Sequence, residues 1–492
     1  MNLLRALRLD APSALPSVIS FVGAGGKTTA LFQLARQFKG IFDIRNSKLE
    51  TGISNTEYPR SVIVTATTHL GVWQAPLADH HIIANTINDL NNLPSEGIIL
   101  VTGEIEGDRT KPVSEDVLGW LYEYAQKTNT PLLIEADGSR QKPLKAPAAH
   151  EPPIPTFTDI VIHVTGLSAL GKPLDEDHVH RAERFAQLSG LAPGESVTPQ
   201  SIVKALLHPE GGLKNIPPTA KRIALLNQAD TPELRSIGGG MVNPLLSHFD
   251  SAVLGSLLQS DNFQTFERTA GIILAAGSST RFGSPKQLLD WKGKPFVRHI
   301  AETALQAGLE PVLVVTGFHH AQIESALKDL PVTIVHNADH AQGQSTSIKA
   351  GVKALNPPPP SLRDTSPKSA IKDGKNNSNL VSGFGGVKEG SAIFLLADQP
   401  QIPVEVIRAL TEAHARNLPP ILAPLVLEER RANPVLFDRA AFPDLLQLTG
   451  DTGGRAIFSK YKVEYIPWHD DILLLDVDKP EDYQRLVNSE KL

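Results

Sequence analysis

The stretch GIILAAGSSTRFGSPKQLLDWKGKP, residues 271–295, begins as an apolar strand and continues as a loop of small residues that carries basic side chains. Small residues in the loop let backbone amides approach an anion closely. Arg281 adds a fork of donors, and Lys286 adds a compact charge after a proline. The pattern predicts a domain that starts here and holds the phosphates of a nucleoside triphosphate. The residues expected to contact that nucleotide are Leu274, Ala275, Ala276, Gly277, Ser278, Ser279, Arg281 and Lys286.

The composition indicates a globular chain with more than one domain. At 492 residues and 41% hydrophobic content, the chain exceeds the size of one ordinary core. Its net charge of −6 comes from 53 acidic and 47 basic residues without a long run of one sign, so neither nucleic acid nor a membrane is an expected partner. The absence of cysteine excludes disulfides and thiolate metal sites. No signal peptide or membrane span is recognisable, and we expect a cytoplasmic protein.

Apolar runs alternate with helical patterns in both halves, which predicts an α/β fold with mainly parallel sheets. We expect one domain over residues 1–262 and a second over 268–492. The segment 356–390 is rich in Pro, Ser, Asn, Lys and Gly and is predicted to be a disordered insertion in the second domain. The predicted strands are 17–23, 61–67, 97–103, 131–138, 159–166 and 222–230 in the first half, and 271–277, 311–317, 332–337, 391–400, 421–426 and 472–477 in the second.

The first half has a phosphate loop of its own, within SFVGAGGKTTALFQLARQ at residues 20–37. A strand ends, glycines turn the chain, and a lysine and a threonine open a helix, which favours a mononucleotide cradle with Mg²⁺ on Thr28. Phe21 stands where the usual longer motif has its first glycine, so a glycine-rich turn with an incidental lysine is the alternative. The residues expected to bind nucleotide are Gly23, Ala24, Gly25, Gly26, Lys27, Thr28, Thr29 and Asp137.

Acidic residues at strand ends are the candidates for metal binding. In the first half, LLIEADGSR at 132–140 carries Glu135 and Asp137, which could serve Mg²⁺ or water or be structural. In the second half, FLLADQP places Asp398 where α/β sheets collect ligands. Asp478, in LLLDVDKPEDY, is the expected second carboxylate. Asp476 is an alternative to it, and capping of the next helix is another role open to Asp478.

Several blocks of the first half resemble the YqeC-type family, which comprises accessory proteins associated with selenium-dependent molybdenum hydroxylases. The blocks are TATTHLGVWQAP (65–76), EADGSRQKPLKAPAAHEPPIP (135–155), VTGLSALGKPLDEDHVHRAERF (164–185) and HPEGGLKNIPPTAKRIALLNQAD (208–230). The resemblance implies a P-loop, nucleotide-binding maturation factor whose partner is a molybdenum hydroxylase. It also marks as candidates for a substrate site His69, Lys142, Lys145, His150, Glu151, His178, His180 and Arg181.

The second half is similar to the molybdenum cofactor cytidylyltransferases of the MobA-like nucleotidyltransferase superfamily. Besides the opening loop and LADQP, it contains NADHAQGQSTSIKAG (337–351), RANPVLF (431–437), LTGDTGGRAI (448–457) and DVDKPEDY (476–483). The resemblance implies a Rossmann-like (GT-A/MobA-like) nucleotidyltransferase fold, CTP and Mg²⁺ as ligands, and the molybdenum cofactor as acceptor. Ala276 stands where relatives that use GTP have glycine, which favours CTP. Ala432 stands where relatives commonly have glycine, and it leaves the fit of the acceptor open.

Together these observations predict a fusion of an accessory domain with a molybdenum cofactor cytidylyltransferase. A phosphate of the cofactor would attack the α-phosphorus of CTP and release pyrophosphate, with Arg281, Lys286 and Asp398 as catalytic residues and Asp398 and Asp478 as metal ligands. Transfer to a sugar or polyol phosphate is an alternative for the second half. A non-catalytic, cofactor-binding chaperone is an alternative for the first.

Overall fold

The computed structural model describes residues 1–11, 17–50, 58–259, 261–277, 285–355, 390–426 and 430–488. The described chain divides into two compact units, Met1–Phe266 and Glu267–Leu492. The predictions for Ser278, Ser279 and Arg281, and for the insertion apart from its last residue, lie outside the described residues. None of the described helices is both long and apolar enough to cross a membrane.

The described part of the first unit is built on one nine-stranded sheet, in the order β9-β8-β7-β6-β1-β5-β2-β4-β3. All pairs from β8 to β3 are parallel, which confirms the predicted α/β class with a parallel sheet. The strands are β1 Val18–Gly23, β2 Ser61–Ala66, β3 His80–Ile83, β4 Gly97–Thr102, β5 Leu132–Glu135, β6 Ile160–Gly166, β7 Lys221–Asn227, β8 Ser251–Leu254 and β9 Gln264–Glu267.

Both faces of this sheet are buried in apolar clusters. Strand β2 shows this, since successive side chains of a strand point to opposite faces. Val62 and Val64 of β2 join one apolar cluster, whereas Ile63 joins another. The helices of the unit are α1 Leu3–Ala6, α2 Lys27–Glu50, α3 Glu115–Thr128, α4 Ala182–Ser189, α5 Pro199–Leu207 and α6 Pro232–Leu245.

The second unit has a mixed sheet in the order β12-β11-β10-β13-β15-β14 among the described residues, with β16 also paired to β14. Strands β10 to β13 are parallel, whereas β15 runs antiparallel to both of its neighbours. The strands are β10 Thr269–Ala275, β11 Val312–Thr316, β12 Thr333–His336, β13 Ser391–Leu396, β14 Ile421–Val426, β15 Val435–Asp438 and β16 Val463–Pro467. The helices are α7 Phe296–Gln306, α8 His320–Leu327, α9 Gln344–Leu355, α10 Val404–Asn417, α11 Phe442–Leu445 and α12 Pro480–Asn488.

The predicted strand at 472–477 is wrong. Asp471–Leu474 forms a 3-10 turn, and the side chain of Asp470 accepts a hydrogen bond from the Ile472 amide at its start. The stretch is apolar because Leu473 and Val477 are buried in two different clusters of the unit, not because it pairs in the sheet. An apolar run of this length does not distinguish a strand from a buried turn.

Candidate nucleotide sites

The phosphate loop of the first unit joins β1 to α2. Gly23, Gly25 and Gly26 all have positive φ angles, of 89°, 81° and 122°. A Cβ atom on Gly23 would lie 2.2 Å from the carbonyl oxygen of Val164 in the adjacent strand β6, so only glycine fits there. The loop therefore packs closely against strand β6 at the carboxyl end of the sheet.

Three amides of this loop already have protein acceptors. The amides still available for an anion are therefore those at the start of α2, where the first N–H groups of a helix have no partner within it. Of the residues predicted to bind phosphate, Gly26, Lys27 and Thr28 are therefore the ones whose amides can contact it. The occupied amides are those of Gly23, bonded to Asp137 Oδ2 at 3.1 Å, Ala24, bonded to the Val164 carbonyl at 2.9 Å, and Gly25, bonded to the Lys142 carbonyl at 3.0 Å.

The side chains that open α2 contact the end of strand β5. Thr28 Oγ1 donates to Glu135 Oε2 at 2.6 Å, and Lys27 Nζ donates to the Gly23 carbonyl at 2.8 Å. Burial raises the pKa of Glu135 in spite of the nearby Lys27 charge, and burial lowers the pKa of Lys27. The Thr28 hydroxyl and the Glu135 carboxylate together place two hard oxygen ligands for a metal ion next to the loop.

Asp137 has different contacts from those of Glu135. It receives hydrogen bonds from the Gly23 amide and from Lys145, and it lines a small cavity of about 30 Å³ together with Gly23 and Ala24. Glu135, in contrast, lines the open cleft. The sequence did not show whether Glu135 or Asp137 reaches the cleft, because both residues lie at the carboxyl end of the same strand.

Lys145 and Arg181 converge on one carboxylate. The side chain of Lys145 is only 2% exposed, and it donates a hydrogen bond to Glu151 Oε2 at 2.8 Å. Arg181 donates to both carboxylate oxygens of Glu151, at 2.8 and 2.9 Å. Burial alone would raise the pKa of Glu151, but the hydrogen bonds from Arg181 and Lys145 outweigh it and lower that pKa to about 2. Glu151 is therefore ionised at neutral pH and holds the two cations in place.

The open cleft of the first unit has a volume of about 710 Å³, which is in the range of small-ligand sites. It brings most of the YqeC-type candidates together. Lys142 donates a hydrogen bond to the Asp177 carbonyl at 2.8 Å. Burial, together with the neighbouring cations, lowers the pKa of His180 to about 4. His178 instead bonds to Asp175 at 2.7 Å, a local turn contact. The predicted residues that line the cleft are Gly25, Gly26, Lys27, Thr28, Thr29, His69, Glu135, Lys142, His150, Glu151, His180 and Arg181.

In the second unit, Lys286 connects two of the predicted carboxylates. Its Nζ lies 2.7 Å from Asp478 Oδ1 and 3.5 Å from Asp398 Oδ2. Burial lowers the pKa of Lys286, but the hydrogen bond to Asp478 and the charges of both aspartates outweigh it, so that pKa is raised. At the start of α12, Asp482 accepts hydrogen bonds from the amides of Asp478 and Lys479, whereas the Asp478 carboxylate accepts from Lys286.

Asp398 and Asp476 complete a group of carboxylates around this lysine. Burial raises the pKa of Asp398, and the charges of Asp476 and Asp478 raise it further, against the effect of Lys286. Burial likewise raises the pKa of Asp476, which accepts a hydrogen bond from Gln399. The Ala397 amide bonds to the Leu274 carbonyl at 3.2 Å, so the turn that carries Asp398 is attached to the strand that leads into the opening loop.

A cavity of about 370 Å³ lies in the second unit, and of its lining residues the sequence predicted only Leu274 as a site residue. Leu274 and Phe437 contribute to its apolar part, and Asn433 and Arg455 contribute polar groups, joined by a hydrogen bond of 3.2 Å. Asn433 and Arg455 lie in RANPVLF and LTGDTGGRAI, so these two motifs were the available signal.

The fold and these sites define a class: a two-unit α/β protein with a glycine-containing loop at the carboxyl end of a parallel strand in each unit. The YqeC protein family matches residues 49–183, and the MobA-like NTP transferase domain matches residues 271–465. The chain is 31% identical over 253 residues to the uncharacterized protein YqeC of Escherichia coli K12, covering 48% of this chain and 86% of that protein. The chain belongs to the YqeC family through its first half and carries a MobA-like NTP transferase domain in its second.

The relatives that match the second half include an oxidoreductase and a nucleotidyltransferase. The nicotine blue oxidoreductase of Paenarthrobacter nicotinovorans is 30% identical over 229 residues, 44% of this chain and 95% of that protein. The molybdenum cofactor cytidylyltransferase of Escherichia coli K12 is 38% identical over 85 residues, 17% of this chain and 44% of that protein. The similarity to the cytidylyltransferase is higher in identity but spans less than half of its length.

Proposed function

We propose that the second unit transfers CMP from CTP to a phosphate of the molybdenum cofactor and releases pyrophosphate. The observation that supports this most directly is Lys286, held between Asp398 and Asp478 where β13 ends. A cation and a carboxylate group placed together at the end of parallel strands can bind a polyphosphate and the metal that accompanies it. The similarity to a named molybdenum cofactor cytidylyltransferase supports the choice of acceptor, and Ala276 supports the choice of CTP.

The proposed chemistry relies on positioning and charge. An acceptor phosphate attacks the α-phosphorus of CTP in line, the bond to the β-phosphate oxygen breaks, and pyrophosphate leaves. Lys286 donates to the phosphate oxygens as negative charge develops on the leaving group. Arg281 has the same role in this proposal. The cavity beside Leu274 and Phe437 offers the acceptor an apolar surface with polar groups at Asn433 and Arg455.

The donor set of the site fits Mg²⁺. Asp398, Asp476 and Asp478 supply only oxygen, the ligand that Mg²⁺ prefers, and substrate phosphates normally supply further ligands. Among the described residues no three His, Cys, Asp or Glu side chains form a metal-binding group by themselves, so phosphate oxygens are needed. Mg²⁺ held by Asp398 and Asp478 would neutralise charge between the two reacting phosphates.

For the first unit we propose a P-loop accessory function, in which a nucleotide binds in the 710 Å³ cleft. The first-turn amides of α2 contact its phosphates, and Thr28 with Glu135 forms a donor pair suited to Mg²⁺. The associated client is a molybdenum hydroxylase during its maturation. The role of a non-catalytic chaperone for the cofactor is the alternative for this unit.

Pyrophosphate release tests the proposal for the second unit. It is measured with CTP, GTP, ATP and UTP, each with and without a molybdopterin-type acceptor. We expect release with CTP that depends on the acceptor and is lost in Lys286→Ala. Release that depends on a sugar or polyol phosphate instead would identify the alternative transferase.

An oxidoreductase is a second candidate, because the similarity to nicotine blue oxidoreductase covers nearly all of that protein. An oxidoreductase would consume no nucleoside triphosphate. Absence of pyrophosphate release with all four nucleotides and with every acceptor tried would therefore reject the transferase and favour this candidate.

A further inference from the structure

The carboxyl end of β7 carries Asn227-Gln228-Ala229-Asp230, a group that no other part of the proposed function uses. In the sheet order, only β6 lies between β7 and the phosphate-loop strand β1. Two strand spacings of ~4.8 Å place the two strand ends roughly 10 Å apart. A ribose and a phosphate can bridge a gap of that size, so a nucleotide whose phosphates lie at α2 can present its base near the end of β7.

Asn227 links this strand end to the phosphate loop. Its side chain is buried to 4% exposure, donates from Nδ2 to the Gly25 carbonyl at 2.6 Å and accepts at Oδ1 from the Leu257 amide at 2.9 Å. A Cβ atom on Gly26 would lie 2.6 Å from that same Nδ2, so a residue with a side chain there would press on the amide. Asn227 thus ties together the loop, the end of β7 and the segment after β8.

Asp230 is exposed, yet one of its oxygens is fixed. Ser256, fully buried, donates from Oγ to Asp230 Oδ1 at 2.5 Å. Among the described residues, Oδ2 of Asp230 has no hydrogen-bond partner. A solvated surface carboxylate needs no buried hydroxyl to orient it, because water satisfies it in any rotamer. The contact orients the carboxylate and leaves acceptor sites facing solvent.

Two further side chains lie on the chain segments that carry Asp230 and Ser256. Leu258, two residues after Ser256, is 86% exposed. Gln228 lines the cleft, and its side chain is held by a 2.6 Å hydrogen bond from Ser168 Oγ. The Leu258 amide donates to the same Ser256 hydroxyl that orients Asp230, at 3.2 Å. This strand end therefore offers an exposed apolar side chain as well as hydrogen-bond acceptors.

We propose that the nucleotide of the first unit is a guanine nucleotide, read by Asp230. This inference rests on the proposed nucleotide binding by that unit and specifies its substrate class. Guanine presents two adjacent donors, N1–H and the N2 amino group, and an ionised carboxylate is acceptor only, so both bonds can form at once. Adenine has an acceptor at N1 and no amino group at C2. Each hydrogen bond to a charged group is worth ~10- to 100-fold in affinity.

The test uses the full-length protein with Lys286→Ala in the second unit, and it measures nucleotide binding by calorimetry. Binding to the first unit is defined as the part lost when Lys27→Ala is added. We expect GTP to bind to that site at least ~10-fold more tightly than ATP or CTP. Asp230→Asn should weaken GTP by a similar factor and strengthen xanthosine triphosphate, because the new amide can donate to the carbonyl at C2 of xanthine.

Asp116→Asn, at an exposed position of α3, is the matched control and should change neither affinity. Ser256→Ala keeps the Asp230 carboxylate but removes the hydrogen bond that orients it, so this variant should reduce the preference for GTP. It serves as the second variant if Asp230→Asn does not fold. Equal binding of GTP and ATP, or an unchanged ratio of GTP to xanthosine triphosphate in Asp230→Asn, would overturn the guanine inference and leave nucleotide binding in place. Absence of any binding that depends on Lys27 would overturn both.

Discussion

The ammonium of Lys286 lies 2.7 Å from the carboxylate of Asp478, which is 192 residues further along the chain. A small cluster that includes Phe296, Val477 and Leu486 holds the two segments together, and Tyr483 donates to the Asp290 carbonyl at 2.7 Å. Since these contacts bring the C-terminal acids to the loop at the start of the unit, the proposed site depends on this packing as well as on its charged residues.

Asp398→Asn should abolish nucleotidyl transfer and keep the fold intact. Burial raises the pKa of Asp398, so its charged form is disfavoured in the folded chain, and a neutral amide should not lower the melting temperature at pH 7. Pyrophosphate release and thermal unfolding are the measurements. Asp471→Asn, an exposed aspartate in a nearby turn, is the control and should retain activity. Turnover near the wild-type rate in Asp398→Asn would remove Asp398 from the mechanism.

Lys27→Ala should weaken nucleotide binding by the first unit and leave cytidylyl transfer unchanged. The two loops lie in separate compact units, each with its own acidic residues at strand ends. Nucleotide titration and pyrophosphate release are measured on the same preparation, with Lys39→Ala on α2 as the control. A parallel loss of both signals would show that the two sites are coupled.

Replacing residues 356–389 with a short Gly/Ser linker should cost little stability or transferase activity. The segment contains few residues that could join a core, and loop-closure entropy changes slowly with length. Melting temperature and pyrophosphate release are compared with those of the full chain. A large drop in melting temperature would contradict the prediction and show that the segment packs against the domain.

Glu151 should make the first unit sensitive to acid. Its pKa is about 2 in the folded chain against an ordinary value of 4.5, so its ionised form stabilises the fold above that ordinary value. The stabilisation is lost as the pH falls from about 4.5 towards about 2. Urea unfolding between pH 6 and pH 3, followed by circular dichroism, should show a smaller decrease for Glu151→Gln than for the wild type.

Glu151→Gln should also be less stable at neutral pH, because the buried ammonium of Lys145 loses a charged partner. Glu123→Gln, on the exposed side of α3, is the control for a carboxylate without such a contact. Equal pH dependence in the wild type and in Glu151→Gln would contradict the role given to this network.

The sequence alone determined the α/β class and most strands, because buried parallel strands are continuous apolar runs and their alternation with helices is visible in one dimension. It also located the glycine-containing turn after β1 and the acids Glu135 and Asp398 at the carboxyl ends of β5 and β13. It failed at 472–477, where the apolar residues are buried in a turn. In that case the pattern records burial but not hydrogen-bonding geometry.

Only the tertiary structure decided which acid serves which site. Glu135 and Asp137 are two residues apart, yet Glu135 contacts Thr28 and lines the cleft, whereas Asp137 contacts Lys145 and the Gly23 amide. The pairing of Asp230 with Ser256 is equally invisible in the sequence, because it depends on two strands that are adjacent in the sheet. Local patterns determine which elements form, whereas contacts between distant residues depend on how those elements pack.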